Sequence, residues 1–180
     1  MNRRLFCMSG LAAAASAQSN SRPPNVILIY CDDLGYGDLG VYGSSIRTPN
    51  LDGMAAQGVR FTQFISANPV CSPSRAALLT GRYPTRVSVP RVLFPYDKEG
   101  LPASETTIAG MLKQKRYRTM CVGKWHLGHL PDYLPIRRGF DHYYGIPYSN
   151  DMDPPVLLED EKVVEQRATI ETLTQRYTEK

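Results

Sequence analysis

Asn25-Val26-Ile27-Leu28-Ile29-Tyr30-Cys31-Asp32-Asp33 is an unbroken apolar run that ends in two adjacent acids. An apolar run without alternation predicts a strand buried on both faces, the kind found in parallel sheets covered by helices. Outward from it, helix and strand patterns alternate. Thr48-Pro49 predicts a helix start, with Thr48 as cap and Gly58 as closure. Residues 59–67 predict a second strand, bounded by Asn68-Pro69. Ser72 as N-cap and Pro73 as first helical residue predict a helix that closes near Gly81. Residues 105–115 predict a helix with Ile108, Met111 and Leu112 on one face. Residues 117–122 predict a third strand. Residues 128–155 read as loop, with short strands near Val156 and Val163. Residues 167–180 carry Ile170, Leu173 and Tyr177 at helical spacing. This alternation predicts an α/β domain with a mostly parallel sheet flanked by helices.

The chain has 180 residues, enough for one domain with a sizeable core. Its hydrophobic share of 42% and mixed-sign charged share of 21% describe a globular protein rather than a disordered one. The net charge is +4, and no basic run with interleaved aromatics accompanies it, so no nucleic-acid partner is expected. Asn2-Arg3-Arg4, the alanine-rich apolar stretch 5–15 and the small residues Ala15-Ser16-Ala17 predict a signal peptide over 1–17, removed before Gln18. The stretch is too short to span a bilayer, so no stable membrane insertion is expected. Arg3-Arg4-Leu5-Phe6 also resembles a twin-arginine signal. The expected product is exported, periplasmic or secreted, with a linker over 18–24 and a domain over 25–180. Of four cysteines, Cys7 leaves with the signal. An odd set remains (Cys31, Cys71 and Cys121), which predicts another use for at least one thiol.

Three places carry chemistry. Asp32-Asp33 follows a predicted strand, at the edge where open α/β sheets bind ligands. Two like charges side by side call for a positive neighbour, and a hard divalent cation would supply it; taken alone, the pair also fits solvated loop residues. Gly35-Tyr36-Gly37-Asp38-Leu39-Gly40 fits the dinucleotide fingerprint, but Asp32, Asp33 and Asp38 would repel a pyrophosphate and no helix pattern follows. Cys71-Ser72-Pro73-Ser74-Arg75 puts a cysteine at a helix N-terminus, where free N–H groups and the dipole favour an anion, with Arg75 a turn further on. Three residues between Cys and Arg do not make a tyrosine-phosphatase loop; a buried structural cysteine is the other reading. Gly123-Lys124-Trp125-His126 follows another predicted strand. Its lysine can pair with an oxyanion and its histidine can move protons, or both can be ordinary surface and packing residues. His126 and His129 lack a third ligand at zinc spacing.

Cys71-Ser72-Pro73-Ser74-Arg75, continuing through Ala76-Ala77-Leu78-Leu79-Thr80-Gly81-Arg82, resembles the signature of type I, formylglycine-dependent sulfatases. Residues 25–33 resemble that family's opening strand and metal-binding acids, and Gly123-Lys124-Trp125-His126 its second signature. Gly139-Phe140-Asp141 and residues 145–151 are similar to segments of the arylsulfatase A and N-acetylgalactosamine-6-sulfatase branch. The resemblance implies an alkaline-phosphatase-like α/β fold, here an N-terminal part truncated on the C-terminal side. It implies hydrolysis of sulfate esters of sugars or aryl alcohols. It implies that a formylglycine-generating enzyme oxidises Cys71 during maturation, and that Asp32, Asp33 and the modified Cys71 hold Ca²⁺, with Mg²⁺ the lesser candidate. A hydrated aldehyde carries two hydroxyls on one carbon, one to attack sulfur and one to expel sulfate afterwards. By the same resemblance Arg75 would hold the nucleophile and metal region, Lys124 would contact the sulfate, and His126 would hydrogen-bond the formylglycine. Arg116 stands where the family usually has glycine, a position that often needs left-handed backbone. The family's further metal ligands, another histidine and another lysine lie beyond residue 180, so the chain alone is expected to be inactive, with helix 167–180 short of packing partners. The alternatives are a non-catalytic fragment or sulfatase-derived binding protein, and a phosphatase or phosphodiesterase of the same superfamily. The particular substrate and the oligomeric state are not legible.

Overall fold

The computed structural model describes residues 22–180; the expected signal peptide and the start of the linker lie outside the described residues. The described residues fall into two compact units, one ending at Pro49 and the other spanning Asn50–Lys180. In the first, the run 26–30 forms no strand and is exposed rather than buried. An apolar run states a demand for burial, but a strand also needs a neighbouring backbone to complete its ladder. The four-stranded sheet does not include this segment. After Asp32-Asp33 the chain makes two short 3₁₀ turns, Tyr36–Asp38 and Gly40–Tyr42. Asp38 accepts the Gly35 N–H at 2.7 Å, and Thr48 Oγ1 accepts the Gly40 N–H at 2.8 Å. The glycine-rich stretch is therefore a self-tied loop and does not open a nucleotide-binding helix.

Helix α1 spans Pro49–Gln57 as the Thr48-Pro49 signal predicts. Residues 59–67 form bends rather than the predicted second strand, with Val59, Phe61, Phe64 and Ile65 exposed. Helix α2 spans Cys71–Thr80 and ends at Gly81, whose φ of 66° is the left-handed closure that favours glycine. It begins two residues before the predicted Pro73, with Val70 at the cap position and no side-chain cap. Ser72 is not free to cap, because its buried Oγ accepts the Leu93 N–H at 3.0 Å. Pro73 is tolerated within the first turn, where backbone N–H groups have no helical partner.

Helix α3, Ile108–Gln114, is capped by Thr107, which accepts the Gly110 N–H and donates to Arg138 O at 2.6 Å. Ala109 rather than Met111 is its buried residue. Arg116 then takes φ of 64°, the left-handed turn anticipated from the family's usual glycine. The sheet follows: β1 Met120–Val122, β2 His142–Gly145, β3 Leu157–Glu159 and β4 Lys162–Glu165, in the order β1-β2-β3-β4. β1 and β2 are parallel, whereas β2–β3 and β3–β4 are antiparallel. The α/β class stands, and the sheet is mixed. Strand β2 lies inside the segment read as loop. Asp141 fixes its start: it accepts the Thr119 N–H at 2.9 Å and pairs with Lys113 at 2.7 Å. Those two contacts hold its carboxyl at a pKa of about 2.

One core joins Ala76, Val87, Leu101, Trp125, Leu127 and Tyr143, among others. A second joins Tyr144, Ile146, Leu157, Ala168 and Leu173. Leu173 belongs to α4, Ile170–Thr178. Its burial against β2 and β3 corrects the expectation that this helix lacks packing partners.

Two substitutions test this architecture by urea unfolding. A side-chain carbon at Gly145 would collide with the backbone of Gly123 across the β1–β2 pair. Gly145→Ala is therefore expected to destabilise by about 1–3 kcal/mol, the usual cost of overpacking a tight site. Arg116→Gly relieves a left-handed residue and is expected to stabilise by about 1 kcal/mol. Equal and small changes in both would contradict the tight strand contact and the strained turn.

Candidate active site

The second unit brings four of the expected residues into one region. β1 ends at Val122, yet its parallel course beside β2 continues through backbone bonds. Gly123 N–H donates to Tyr144 O at 2.8 Å, Trp125 N–H to Ile146 O at 3.0 Å, and His126 N–H to Pro147 O at 2.9 Å. This extension carries Lys124 to the N-terminus of α2. There its Nζ donates to Cys71 Sγ at 3.2 Å and to Ser149 Oγ at 2.9 Å. Arg75, one turn into α2, donates from Nη1 to the Lys124 carbonyl at 2.8 Å. Helix and strand end are thus tied at both the side chain and the backbone of Lys124. Ser74 Oγ donates to the Cys71 carbonyl at 3.0 Å.

His126 is fully buried and has φ of 61°, uncommon for a residue with a Cβ. Its Nε2 lies 2.7 Å from Leu93 O. A carbonyl only accepts, so Nε2 carries the proton and Nδ1 presents a lone pair. Nδ1 is buried and has no hydrogen-bond partner in the structure. Burial pushes the imidazole pKa down to about 4; the Leu93 bond opposes this, and Lys124 and Arg75 depress it further by repulsion. The histidine is therefore neutral at physiological pH, with an acceptor nitrogen near two cations. Leu93 serves both halves of the site, since its N–H bonds Ser72 and its carbonyl bonds His126. The loop carrying it is closed by Asp97, which accepts from Arg91 at 2.6 and 2.9 Å and from Phe94 N–H at 2.7 Å.

Ser149 and Asp151 were not singled out from the sequence. A serine in a loop carries no pattern, and it reaches Lys124 only because β2 runs beside β1. The hydrogen bond from Ser149 is the main cause that holds the Asp151 carboxyl below its ordinary range, with attraction from Lys124 adding to it. Cys121 is a thiol on β1 whose pKa burial pushes up to about 12, which makes it inert beside Cys71. Cys31, Cys71 and Cys121 form no disulfide.

Asp32 and Asp33 belong to the first unit, at the end of the apolar run, where both are exposed and Asp33 has φ of 55°. Their carboxylates suit calcium or magnesium in kind and provide part of the ~6–8 oxygens calcium takes. Among the described residues, no three His, Cys, Asp or Glu side chains are grouped as a metal cage. No helix among them is long and apolar enough to cross a membrane.

A lysine ammonium that meets a cysteine at a helix N-terminus is an arrangement suited to an anion. The family described as Sulfatase matches residues 24–179, and the chain belongs to it. Human arylsulfatase A is 52% identical over 148 residues, covering 80% of this chain and 29% of that protein. N-acetylgalactosamine-6-sulfatase of Rattus norvegicus is 46% identical over 162 residues, covering 82% of this chain and 30% of the relative. The crystal structure of PsFucS1 sulfatase from Pseudoalteromonas sp. superposes with a TM-score of 0.65 at 39% identity, covering 80% of this chain and 29% of that one. The chain thus spans about three-tenths of the length of the curated relatives it matches. The alkaline-phosphatase-like α/β fold is the family's.

The low His126 pKa predicts a pH dependence of stability. Unfolded, the imidazole binds a proton near its ordinary value of 6.5; folded, it does so only near 4. Between these values the unfolded state holds the extra proton. Stability is therefore expected to fall as pH drops from 6.5 to 4, by up to about 3 kcal/mol, and to level off below. His129, also held low by burial, adds the same sign. His126→Gln is expected to flatten most of this slope in urea titrations across the window. An unchanged slope would place the proton elsewhere.

Proposed function

We propose that this chain carries the nucleophile-bearing part of a sulfuric ester hydrolase that acts on sulfate esters of sugars or aryl alcohols. The observation that supports it most strongly is Lys124 Nζ on Cys71 Sγ at the start of α2, with Ser149 on the same ammonium. In this reading Cys71 Sγ stands for the oxygen of an oxidised side chain, formylglycine, installed by a formylglycine-generating enzyme. When present, that group supplies two hydroxyls on one carbon. Asp32 and Asp33 would serve as calcium ligands, and the bound ion would supply charge stabilisation for the sulfate.

The chain's own residues have distinct tasks. Lys124 binds a sulfate oxygen and counters the negative charge that grows as the ester bond breaks. Ser149 aims that ammonium. Arg75 holds the Lys124 backbone so that its stem points at Cys71. Neutral His126 would offer its Nδ1 lone pair as a hydrogen-bond acceptor to a hydroxyl of the oxidised Cys71 side chain and help to eliminate sulfate, while Nε2 stays bonded to Leu93 and orients the ring. Burial keeps water away from this nitrogen. Export of the protein, from the 1–17 signal, belongs to the same proposal.

The test is turnover by the complete gene product, expressed with the modifying enzyme and calcium. An aryl sulfate is expected to be hydrolysed faster than the matching aryl phosphate. Cys71→Ala is expected to abolish turnover, and Lys124→Ala to lower kcat/KM on the order of 10²–10³-fold, the scale of losing one electrostatic stabiliser. Faster hydrolysis of the phosphate, or full activity in Lys124→Ala, would overturn the proposal.

A further inference from the structure

Two consecutive peptide groups, 92–93 and 93–94, lie between the Arg91–Asp97 ion pair and the buried side chains of the site. A peptide group is planar and rigid, so a partner on its N–H fixes the direction of its carbonyl, and the reverse. In the first group, the Val92 carbonyl accepts from Arg91 Nη1 at 3.0 Å, while the Leu93 N–H donates to Ser72 Oγ at 3.0 Å, next to Cys71. In the second, the Phe94 N–H donates to Asp97 Oδ2 at 2.7 Å, while the Leu93 carbonyl accepts from His126 Nε2 at 2.7 Å. Each plane is therefore gripped at one end by a member of the ion pair and at the other by the site. The pair itself is bidentate, with Arg91 Nη1 and Nη2 on the two Asp97 oxygens at 2.6 and 2.9 Å. The Asp97 N–H also donates to the Phe94 carbonyl at 2.9 Å, which closes residues 94–97 into a turn. Burial of the Leu93 side chain fixes its depth but not the direction of these peptide groups. Neither Arg91 nor Asp97 belongs to a motif singled out from the sequence.

We propose that Asp97 and Arg91 are positioning residues of the reaction: the ion pair orients the 93–94 peptide group, and through its carbonyl the ring of His126. The role assigned to His126 rests on the sulfatase reading above; the orientation of its ring does not. Without the carboxylate, the Phe94 N–H loses its acceptor and the peptide group is free to turn. The Leu93 carbonyl then no longer holds Nε2, and Nδ1 no longer presents its lone pair in a fixed direction. The backbone of His126 stays in place, because its N–H is bound to Pro147 O, and the far end of the loop stays in place, because the Leu101 N–H is bound to Leu127 O at 2.9 Å. Loss of the pair is thereby felt by the ring before it is felt by the fold.

The test uses the complete gene product made with the modifying enzyme and calcium. It reads kcat and KM on 4-nitrophenyl sulfate, and the His126 ring by ¹⁵N NMR of histidine-labelled protein, the signal being assigned by its loss in His126→Gln. Asp97→Ala is expected to lower kcat about tenfold with KM changed less than about twofold, since misplacing a reacting group costs rate rather than binding. It is also expected to shift the Nε2–H resonance and speed its exchange with water. Because the effect passes through the histidine, Asp97→Ala is expected to lower the residual kcat of His126→Gln no further, whereas independent effects multiply. Arg91→Met, at a half-exposed side chain, removes only the guanidinium. It is expected to give the same changes at smaller size, and it carries the test if Asp97→Ala does not fold. Glu161→Ala removes the exposed pair with Arg137 and is expected to change neither readout. A His126 resonance unmoved in both variants of the ion pair, or kcat losses that multiply, would overturn the proposal. No turnover of the aryl sulfate by the unsubstituted protein, with the resonance still moved by the ion-pair variants, would overturn the sulfatase reading and leave the positioning of the ring standing.

Discussion

The parallel pairing of β1 with β2, prolonged by backbone bonds from Gly123, Trp125 and His126 to Tyr144, Ile146 and Pro147, is the constraint on which the site depends. It fixes the height of Lys124 above the sheet and sets Ser149 beside it. Gly145 has no side chain because the Gly123 backbone fills that space. A slip of one residue would turn Lys124 to the opposite face of the strand path. Asp141 guards against that slip by binding Thr119 at the entry to both strands. The placement of Lys124 against Cys71 is thus set by strand register as much as by the cysteine motif.

The second constraint is the loop around Leu93. Its N–H and carbonyl satisfy Ser72 on one side and His126 on the other, both fully buried. A buried polar group without a partner is costly, so these bonds decide the His126 tautomer. They also explain why Ser72 gives up capping: its hydroxyl is committed to the buried link with Leu93. Low pKa, fixed ring and an acceptor Nδ1 follow from one backbone segment, held by the Arg91–Asp97 pair.

Much of this was legible in the residues, and the failures have physical causes. Pro73 and Gly81 announced α2 because proline and glycine restrict backbone angles locally. Arg116 was legible as a left-handed position for the same reason. Strands β3 and β4 carried apolar pairs near Val156 and Val163. Strand β2 was missed because Tyr143, Tyr144 and Gly145 are all buried, which removes alternation, and Gly145 and Pro147 read as breakers. The run 26–30 was read as a buried strand because apolarity signals a need for burial and says nothing about which backbone completes the ladder. Cys71, Arg75, Lys124 and His126 were visible through short motifs. Ser149 was not, since its role arises from a contact 25 residues away in sequence.

The central claim is that Cys71, placed against Lys124, is the precursor of the reactive group. It is tested most directly by mass spectrometry of the tryptic peptide 61–75, from protein made together with a formylglycine-generating enzyme. The account predicts that residue 71 carries the mass of an aldehyde or its hydrate, and that the same peptide from cells lacking that enzyme carries a thiol. A thiol at residue 71 in both preparations would contradict it.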